Sequence, residues 1–492
     1  MIRVFFKTIS LALTSALAAV ALYSSAQSIS GVGQSSKNKL PEIGVVAADA
    51  ISIDKEMEIG DILMRQMRAQ APVISDPLLD EYLQDIGNRL VAQAQNVKFP
   101  FTFFLLNNKD INAFAFFGGH IGIHTGLIFH ADNESELASV LAHEVSHVTQ
   151  RHIARSIQAR QKSTPLQIAS MFGGLLLAMA SPEAGIAAIQ ASNAAAAQAS
   201  INYTRSNEKE ADRIGIQILA QAGYDPRAAA SFFGKLASQT RNRSKPLAFL
   251  LTHPLPESRI ADARTRANTM GGNFNSDSMN FHLAKARVIA RYFSAPNTNI
   301  ALFKEQLDKQ SYVYEEAAKY GLALSYLAND NIEAADAIIT QLRQTYPDNL
   351  FFVDTATDIA LAQHQHDKAL LMLSTMQKRY PNNQVVALNY ANAAIEAKHY
   401  DTAIEVLKDF LLLKPNHYLA IQLLTEAYRK NQQPLEMHQH KAEMFALAGA
   451  YKRAIDELHT AYNFANERHL EKQRIKARID QFRSAQDRLK AL

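Results

Sequence analysis

The sequence contains no cysteine. That absence excludes structural disulfides, thiol catalysis, cysteine-ligated zinc and a lipid-modified N-terminal cysteine. An excess of one charge is also missing. Fifty-one Lys and Arg against 47 Asp and Glu leave a formal +4 over 492 residues, with no long basic run behind it. Nucleic-acid binding therefore has little support, and no nucleic-acid partner is expected. Apolar runs of the length that spans a bilayer, about 20 residues, are lacking as well. Ile9–Tyr23 and Leu166–Ala180 each fall short of it.

What is present is ordinary globular material. Apolar residues make up 48% and charged residues 20%, so the bulk should fold and stay soluble, and the length suggests two or three domains. At the N-terminus, Arg3 and Lys7 precede the apolar run, and Ser24-Ser25-Ala26 offers small residues for cleavage before Gln27. This pattern predicts a signal peptide over residues 1–26 and export to the periplasm. Residues 27–50 are rich in Ser, Gly and Asn and read as a flexible leader. Residues 51–270 mix helical patterning with strand-like stretches at Phe101–Leu106 and Gly119–His124. Residues 271–492 are almost uninterrupted helix.

The helical region repeats. Pro347, Pro381 and Pro415 recur every 34 residues, as do Ala335, Ala369 and Ala403. A helix-ending proline and a small residue at that period are the tetratricopeptide pattern. Each helix pair stacks on the next to bury its apolar face, which builds a solenoid with a concave groove. A segment at Tyr451–Ala461 resembles the second helix of a repeat but falls out of phase, which implies an inserted or degenerate unit.

The chemistry sits at His143-Glu144-Val145-Ser146-His147. Two histidines four apart project from one helical face, close enough for both to reach one zinc ion at about 2.0–2.1 Å. Glu144, one step round the helix, is placed to take a proton from water without competing as a ligand. Asp132, Glu134 and Glu136 mark the start of that helix. A catalytic zinc needs a third protein ligand. Asn207-Glu208-Lys209-Glu210-Ala211-Asp212 opens another helix and supplies acids, Glu208 and Asp212 sharing a face. Spacing alone leaves Glu208 and Glu210 both open as the ligand. The remaining acid would fix the tautomer of a ligand histidine.

His-Glu-Val-Ser-His followed by Asn-Glu-Lys-Glu-Ala-Asp-Arg resembles the peptidase family of the CAAX prenyl proteases and HtpX. Asn112-Ala113-Phe114-Ala115-Phe116-Phe117-Gly118-Gly119 is similar to that family's Asn-Ala-Phe-Ala-x-Pro-Gly-Gly segment, with Phe117 in place of the proline. Thr252-His253-Pro254 is similar to its Thr-His-Pro segment. The resemblance implies a gluzincin-type α+β metalloprotease domain with a small sheet, in a mainly α chain that ends in a tetratricopeptide α-solenoid. It implies one Zn2+ per chain, held by His143, His147 and Glu208, with Glu144 as catalytic base and Asp212 supporting the site. It also implies an edge strand beside the catalytic helix. Taken with the export signal and the repeat array, the resemblance also implies outer-membrane quality control. Partners would then be unfolded or stalled outer-membrane proteins and the barrel-assembly machinery, met through the repeat groove.

Four further expectations follow. An extended substrate pairs with the Gly119–His124 strand, making Gly119, His120 and Ile121 substrate-binding residues. His253 either donates to an oxyanion or occupies a fourth zinc position and holds the enzyme latent. His120, His124, His152 and Arg259 are taken as structural. Residues 166–199, apolar and then alanine-rich, pack as a lid or touch a membrane peripherally. The alternative to an active endopeptidase is a tetratricopeptide scaffold or chaperone whose protease site is latent or vestigial.

Overall fold

The computed structural model describes residues 51–159, 205–241, 247–275 and 277–491. The expected signal peptide, the leader and the 166–199 segment lie outside them. Among the described residues no helix is long and apolar enough to cross a membrane.

Helix α1 (Ile53–Gln70) opens on Ser52, whose side chain accepts from the Lys55 N–H, as an N-cap serine does. The short strand β1 (Val73–Ile74) follows, then α2 (Pro77–Val91), capped by Asp76 with a proline in its first turn. Strands β2 (Thr102–Leu106), β3 (Ala113–Phe116) and β4 (His120–His124) complete a four-stranded sheet in the order β1-β2-β4-β3. β4 runs parallel to β2 and antiparallel to β3. Between β3 and β4 a tight turn uses Gly118 and Gly119 at φ 77° and 81°, backbone that glycine adopts at little cost. Phe117, where the family pattern has proline, leads into this turn without disturbing β4.

Helices α3 (Thr125–His130), α4 (Glu134–Thr149) and α5 (His152–Ala159) come next. Every residue of α4 is buried, so this helix is the spine of the domain. Helices α6 (Arg205–Gln221), α7 (Arg227–Arg241), α8 (Ala248–Thr252) and α9 (Glu257–Thr269) surround it. α6 can lie close along α4 because residue 215 is glycine: a Cβ there would stand 3.1 Å from the His143 backbone nitrogen.

Helix α10 (Met279–Val288), a π-turn over Ile289–Phe293 and α11 (Pro296–Asp308) lead into the solenoid. Its first four helix pairs are α12 (Glu315–Ala328) with α13 (Ile332–Thr345), α14 (Leu350–Ala362) with α15 (His366–Arg379), α16 (Gln384–Glu396) with α17 (Tyr400–Leu413), and α18 (Tyr418–Lys430) with α19 (Pro434–Leu447). The turns within these pairs pass through Asp330, His364, Lys398 and Gln432, each at positive φ and each 34 residues from the last. The repeat thus reaches further than its prolines. The out-of-phase segment is α20 (Tyr451–Phe464), which follows α19 directly through Gly449 at φ 70° and precedes α21 (His469–Ala491).

The core of the N-terminal domain and the first repeats form one continuous apolar cluster, from Leu79 and Leu141 through Phe281 to Phe352 and Val385. A buried charge network ties the same parts together. Arg287 donates to Asp76, the cap of α2, at 2.7 Å and to Asp354 on α14 at 2.7 Å, with the Tyr320 hydroxyl at 3.0 Å. Asn383 and Gln384 of the solenoid donate to Glu81 and to the Pro77 carbonyl of α2.

Candidate active site

His143, Glu144 and His147 come from α4, Glu208 and Asp212 from the first turns of α6, and His253 from the residue that caps α8. All six are at most 5% exposed. A buried group of this kind is stable only if its charges and polar atoms find partners.

They find them in one another. The ring nitrogen Nε2 of His143 stands 2.9 Å from Nε2 of His147, 3.4 Å from Nδ1 of His253 and 3.5 Å from Oε2 of Glu208. His147 Nε2 is 3.4 Å from Glu208 Oε1, and His253 Nδ1 is 3.2 Å from the same oxygen. A tetrahedron of N and O ligands at about 2.0–2.1 Å from its centre has edges of about 3.3 Å. Four of these contacts, at 3.2–3.5 Å, are close to that edge, with Glu208 offering Oε1 to His147 and His253 and Oε2 to His143, while the 2.9 Å between His143 and His147 is shorter. These four residues form the one metal-competent group of His, Asp and Glu among the described residues.

The surrounding charges are arranged around that centre. Burial alone would raise the Glu208 pKa, but His253, His143 and His147 hold it well below the usual carboxylate range. Burial works against a charged His143, yet Asp212, whose Oδ1 lies 3.1 Å from Nδ1, and then Glu208 raise its pKa to about 9. The same groups that favour a proton on His143 favour a divalent cation in its place. Burial raises the Glu144 pKa, a shift that His253 and His143 oppose. His253 Nε2 stands 3.5 Å from Glu144 Oε1, and the Ala115 N–H of β3 also opposes the rise.

Glu210 is not part of this group. It faces outward to Arg155 at 2.8 Å and His152 at 3.3 Å. Glu208, and not Glu210, lies in the group that could hold a metal.

Two residues taken as structural stand against the group. Arg259 is 2% exposed and donates to both Asp212 oxygens at 2.7 Å. It also lies 2.8 Å from Glu208 Oε2 and donates to the Pro254 carbonyl at 2.6 Å, beside His253. His152 is fully buried, with Nδ1 2.8 Å from Nδ1 of His147. Burial, against the pull of Glu210, brings its pKa to about 4. The signal in the sequence was an arginine and a histidine close to the motifs, which spacing alone could not aim.

The expected substrate strand needs correction. β4 is paired on both sides, with β2 over His120–His124 and with β3 over His120–Ile123. Its ladder has no free side for a peptide. Gly119 and Ile121 are buried, and His120 stacks on Phe116 at 5.1 Å. The sheet edge beside α4 is β3. Part of that edge is already engaged, because the Phe249 N–H of α8 donates to the Ile111 carbonyl at 3.3 Å while the Phe249 ring stacks on His253 at 4.6 Å.

Comparison with known proteins agrees with this architecture. The pattern of peptidase family M48 matches residues 77–267, and a tetratricopeptide repeat matches residues 360–420. The β-barrel assembly-enhancing protease of Escherichia coli K12 is 42% identical over 455 residues, 92% of this chain and 93% of that one. Its namesake from Yersinia pestis is 42% identical over 92% of this chain and 93% of its own length. The metalloprotease LoiP of E. coli K12 is 26% identical over 247 residues, 49% of this chain and 93% of LoiP. With a His-Glu-His-His group buried in a helical domain and an α-solenoid behind it, the chain is a metallopeptidase and belongs to peptidase family M48.

Proposed function

We propose that this protein is a zinc-dependent endopeptidase of the periplasm that acts on outer-membrane β-barrel proteins during their assembly and removes those that stall. The observation that carries the reading is the His143, His147, Glu208 group with Glu144 beside it. Imidazole nitrogens and a carboxylate at tetrahedral spacing, with no thiolate, suit a catalytic zinc. Zinc bound there supplies Lewis acidity, polarising the scissile carbonyl and making water a stronger acid.

The chain's own residues do the rest. Glu144 accepts the proton of the attacking water on a carboxylate oxygen and passes it to the leaving amine; its raised pKa makes it the stronger base for the first of these transfers. Asp212 holds the Nδ1 proton of His143 and so presents Nε2 to the metal. Substrate lies along β3, where main-chain pairing reads shape rather than sequence and suits unfolded segments. The Ala115 N–H, which opposes the rise in the Glu144 pKa, marks where that strand meets the chemistry.

His253 holds the site closed in the resting protein. Its Nδ1 completes the tetrahedral set, while Phe249 of the same segment sits at the β3 edge. Donation to an oxyanion would require the ring to leave this position first. The repeat groove presents partners of the barrel-assembly machinery, in keeping with the names of the full-length relatives. A scaffold with a vestigial site is disfavoured, because such a scaffold has no use for a buried general base. The test is zinc content together with cleavage of an unfolded outer-membrane protein by the wild type and by Glu144→Gln. Cleavage only by the wild type, with about one zinc per chain in both, is the expected result.

A further inference from the structure

The two histidines of α4 have different partners behind them. Behind His143 stands a carboxylate, Asp212. Behind His147 stands a second imidazole: His152 Nδ1 lies 2.8 Å from His147 Nδ1, and the two rings meet edge to face at 4.9 Å. His152 Nε2 in turn lies 3.3 Å from Glu210 Oε2, which Arg155 holds at 2.8 Å.

This contact does not follow from helical spacing. On an unbroken helix, residue 152 would sit about 140° round from residue 147. The helix ends at Gln150 instead, and Arg151 adopts φ 51°, a conformation that few residues other than glycine take up. The turn sends the chain back and begins α5 with His152 directly against His147. Arg151 is kept in that conformation from α1. Its Nε donates to Glu56 at 2.9 Å and its Nη2 donates to the Ile51 carbonyl at 2.6 Å. Backbone strain of this sort persists where the surroundings over-determine it, and it gathers at functional sites.

We propose that His152 is a positioning residue for the metal site: it accepts the Nδ1–H of His147, fixes that ring's tautomer and aims Nε2 at the ion. This rests on the reading of His147 as a ligand through Nε2. The proton placement then follows. With Nε2 committed to the metal, the proton of neutral His147 resides on Nδ1. His152 must offer its Nδ1 lone pair, so its own proton is on Nε2 and is donated to Glu210. The path His147–His152–Glu210 ends at a carboxylate that is partly exposed and paired with Arg155. His147 is therefore backed by a neutral acceptor and His143 by a charged one. The structure thus assigns roles to three residues outside the HExxH motif: Arg151 makes the turn, His152 accepts, and Glu210 orients His152.

The test compares the full chain with His152→Phe, which keeps a ring but has no acceptor, and His152→Asn, whose side-chain oxygen can stand near the place of Nδ1. Zinc affinity is measured by chelator competition, and Co2+ replaces zinc to give a visible spectrum of the ligand field. Loss of an outer hydrogen-bond partner of a ligand weakens metal binding by about 10–100-fold. The expected result is a loss of that size and an altered Co2+ spectrum for His152→Phe, with both largely restored in His152→Asn. Melting of the metal-free proteins should be alike, which a purely structural role would not give. Wild-type affinity and spectrum in His152→Phe overturn the proposal. If His152→Phe does not fold, Glu210→Gln reads the same path from its exposed end: weaker zinc binding supports it and unchanged binding overturns it. A wild type that binds neither ion stoichiometrically overturns the metal reading itself, an outcome distinct from the other two.

Discussion

Arg259 grips Asp212 with two hydrogen bonds of 2.7 Å, one to each carboxylate oxygen, and both side chains are buried. The pair does more than neutralise charge. Asp212 stands behind His143, and the same guanidinium touches Glu208 and the carbonyl next to His253. One arginine therefore orients a proposed ligand, the support of another and the segment that carries a fourth.

Arg259→Lys keeps the charge but cannot form the fork, so it should behave nearly as badly as Arg259→Gln. Both should weaken zinc binding by about 10–100-fold, measured by chelator competition. A lysine variant with wild-type affinity would show that charge alone suffices.

Metal binding should depend on pH in a definite direction. In the metal-free protein His143 titrates at about 9, so below that pH its proton competes with the ion. Apparent affinity should rise by up to about tenfold per pH unit between pH 7 and 9 and then level off. Glu208, held well below the usual range, adds nothing to the slope there. Asp212→Asn removes the charge that keeps the proton on His143, so the plateau should begin at lower pH. Isothermal titration in a pH series checks both statements.

The catalytic pH profile has its own sign. Glu144 must be ionised to accept a proton, and burial raises its pKa above 4.5. Activity should therefore fall on the acid side above that value. Ala115→Pro removes an N–H that stabilises the ionised carboxylate and should move this limb to higher pH. Proline is tolerated on an edge strand whose N–H faces away from its neighbour, so the fold should persist. KM for an unfolded substrate should rise as well, because β3 loses a pairing site.

Much of the site was legible because its chemistry is local. Two histidines and a glutamate within five residues define a helical face by themselves, and Glu208 and Asp212 mark another at the same spacing. The 34-residue prolines announced the solenoid for a similar reason. The rest depends on contacts that local sequence does not encode. β3 lacks an alternating pattern because all four of its residues are buried, which hid the true edge strand and shifted the substrate expectation onto β4. Arg259 reaches the site across a separation of 47 residues. His152 reaches it only through an arginine at positive φ, a conformation that no residue type announces.

The joint between peptidase and solenoid also escaped the sequence, since Asp76, Arg287 and Asp354 lie hundreds of residues apart in part. Arg287→Met leaves two buried carboxylates without their partner. Breaking a buried ion pair from one side costs about 3–5 kcal/mol. Chemical denaturation should show a loss of that size, together with separation of the transition into two steps. A single unshifted transition would mean the network contributes little.

His253→Ala should raise proteolysis of unfolded protein above the resting level while leaving zinc bound, since three ligands suffice to hold it. A fall in activity would instead assign His253 to the chemistry.

The central claim is that the buried group hydrolyses peptide bonds with Glu144 as its base. It is tested most directly by following cleavage of an unfolded outer-membrane protein by His253→Ala and by His253→Ala/Glu144→Gln, with zinc content measured in both. The account predicts about one zinc per chain in each and cleavage by the first alone. Equal cleavage by the two, or cleavage without bound metal, would contradict it.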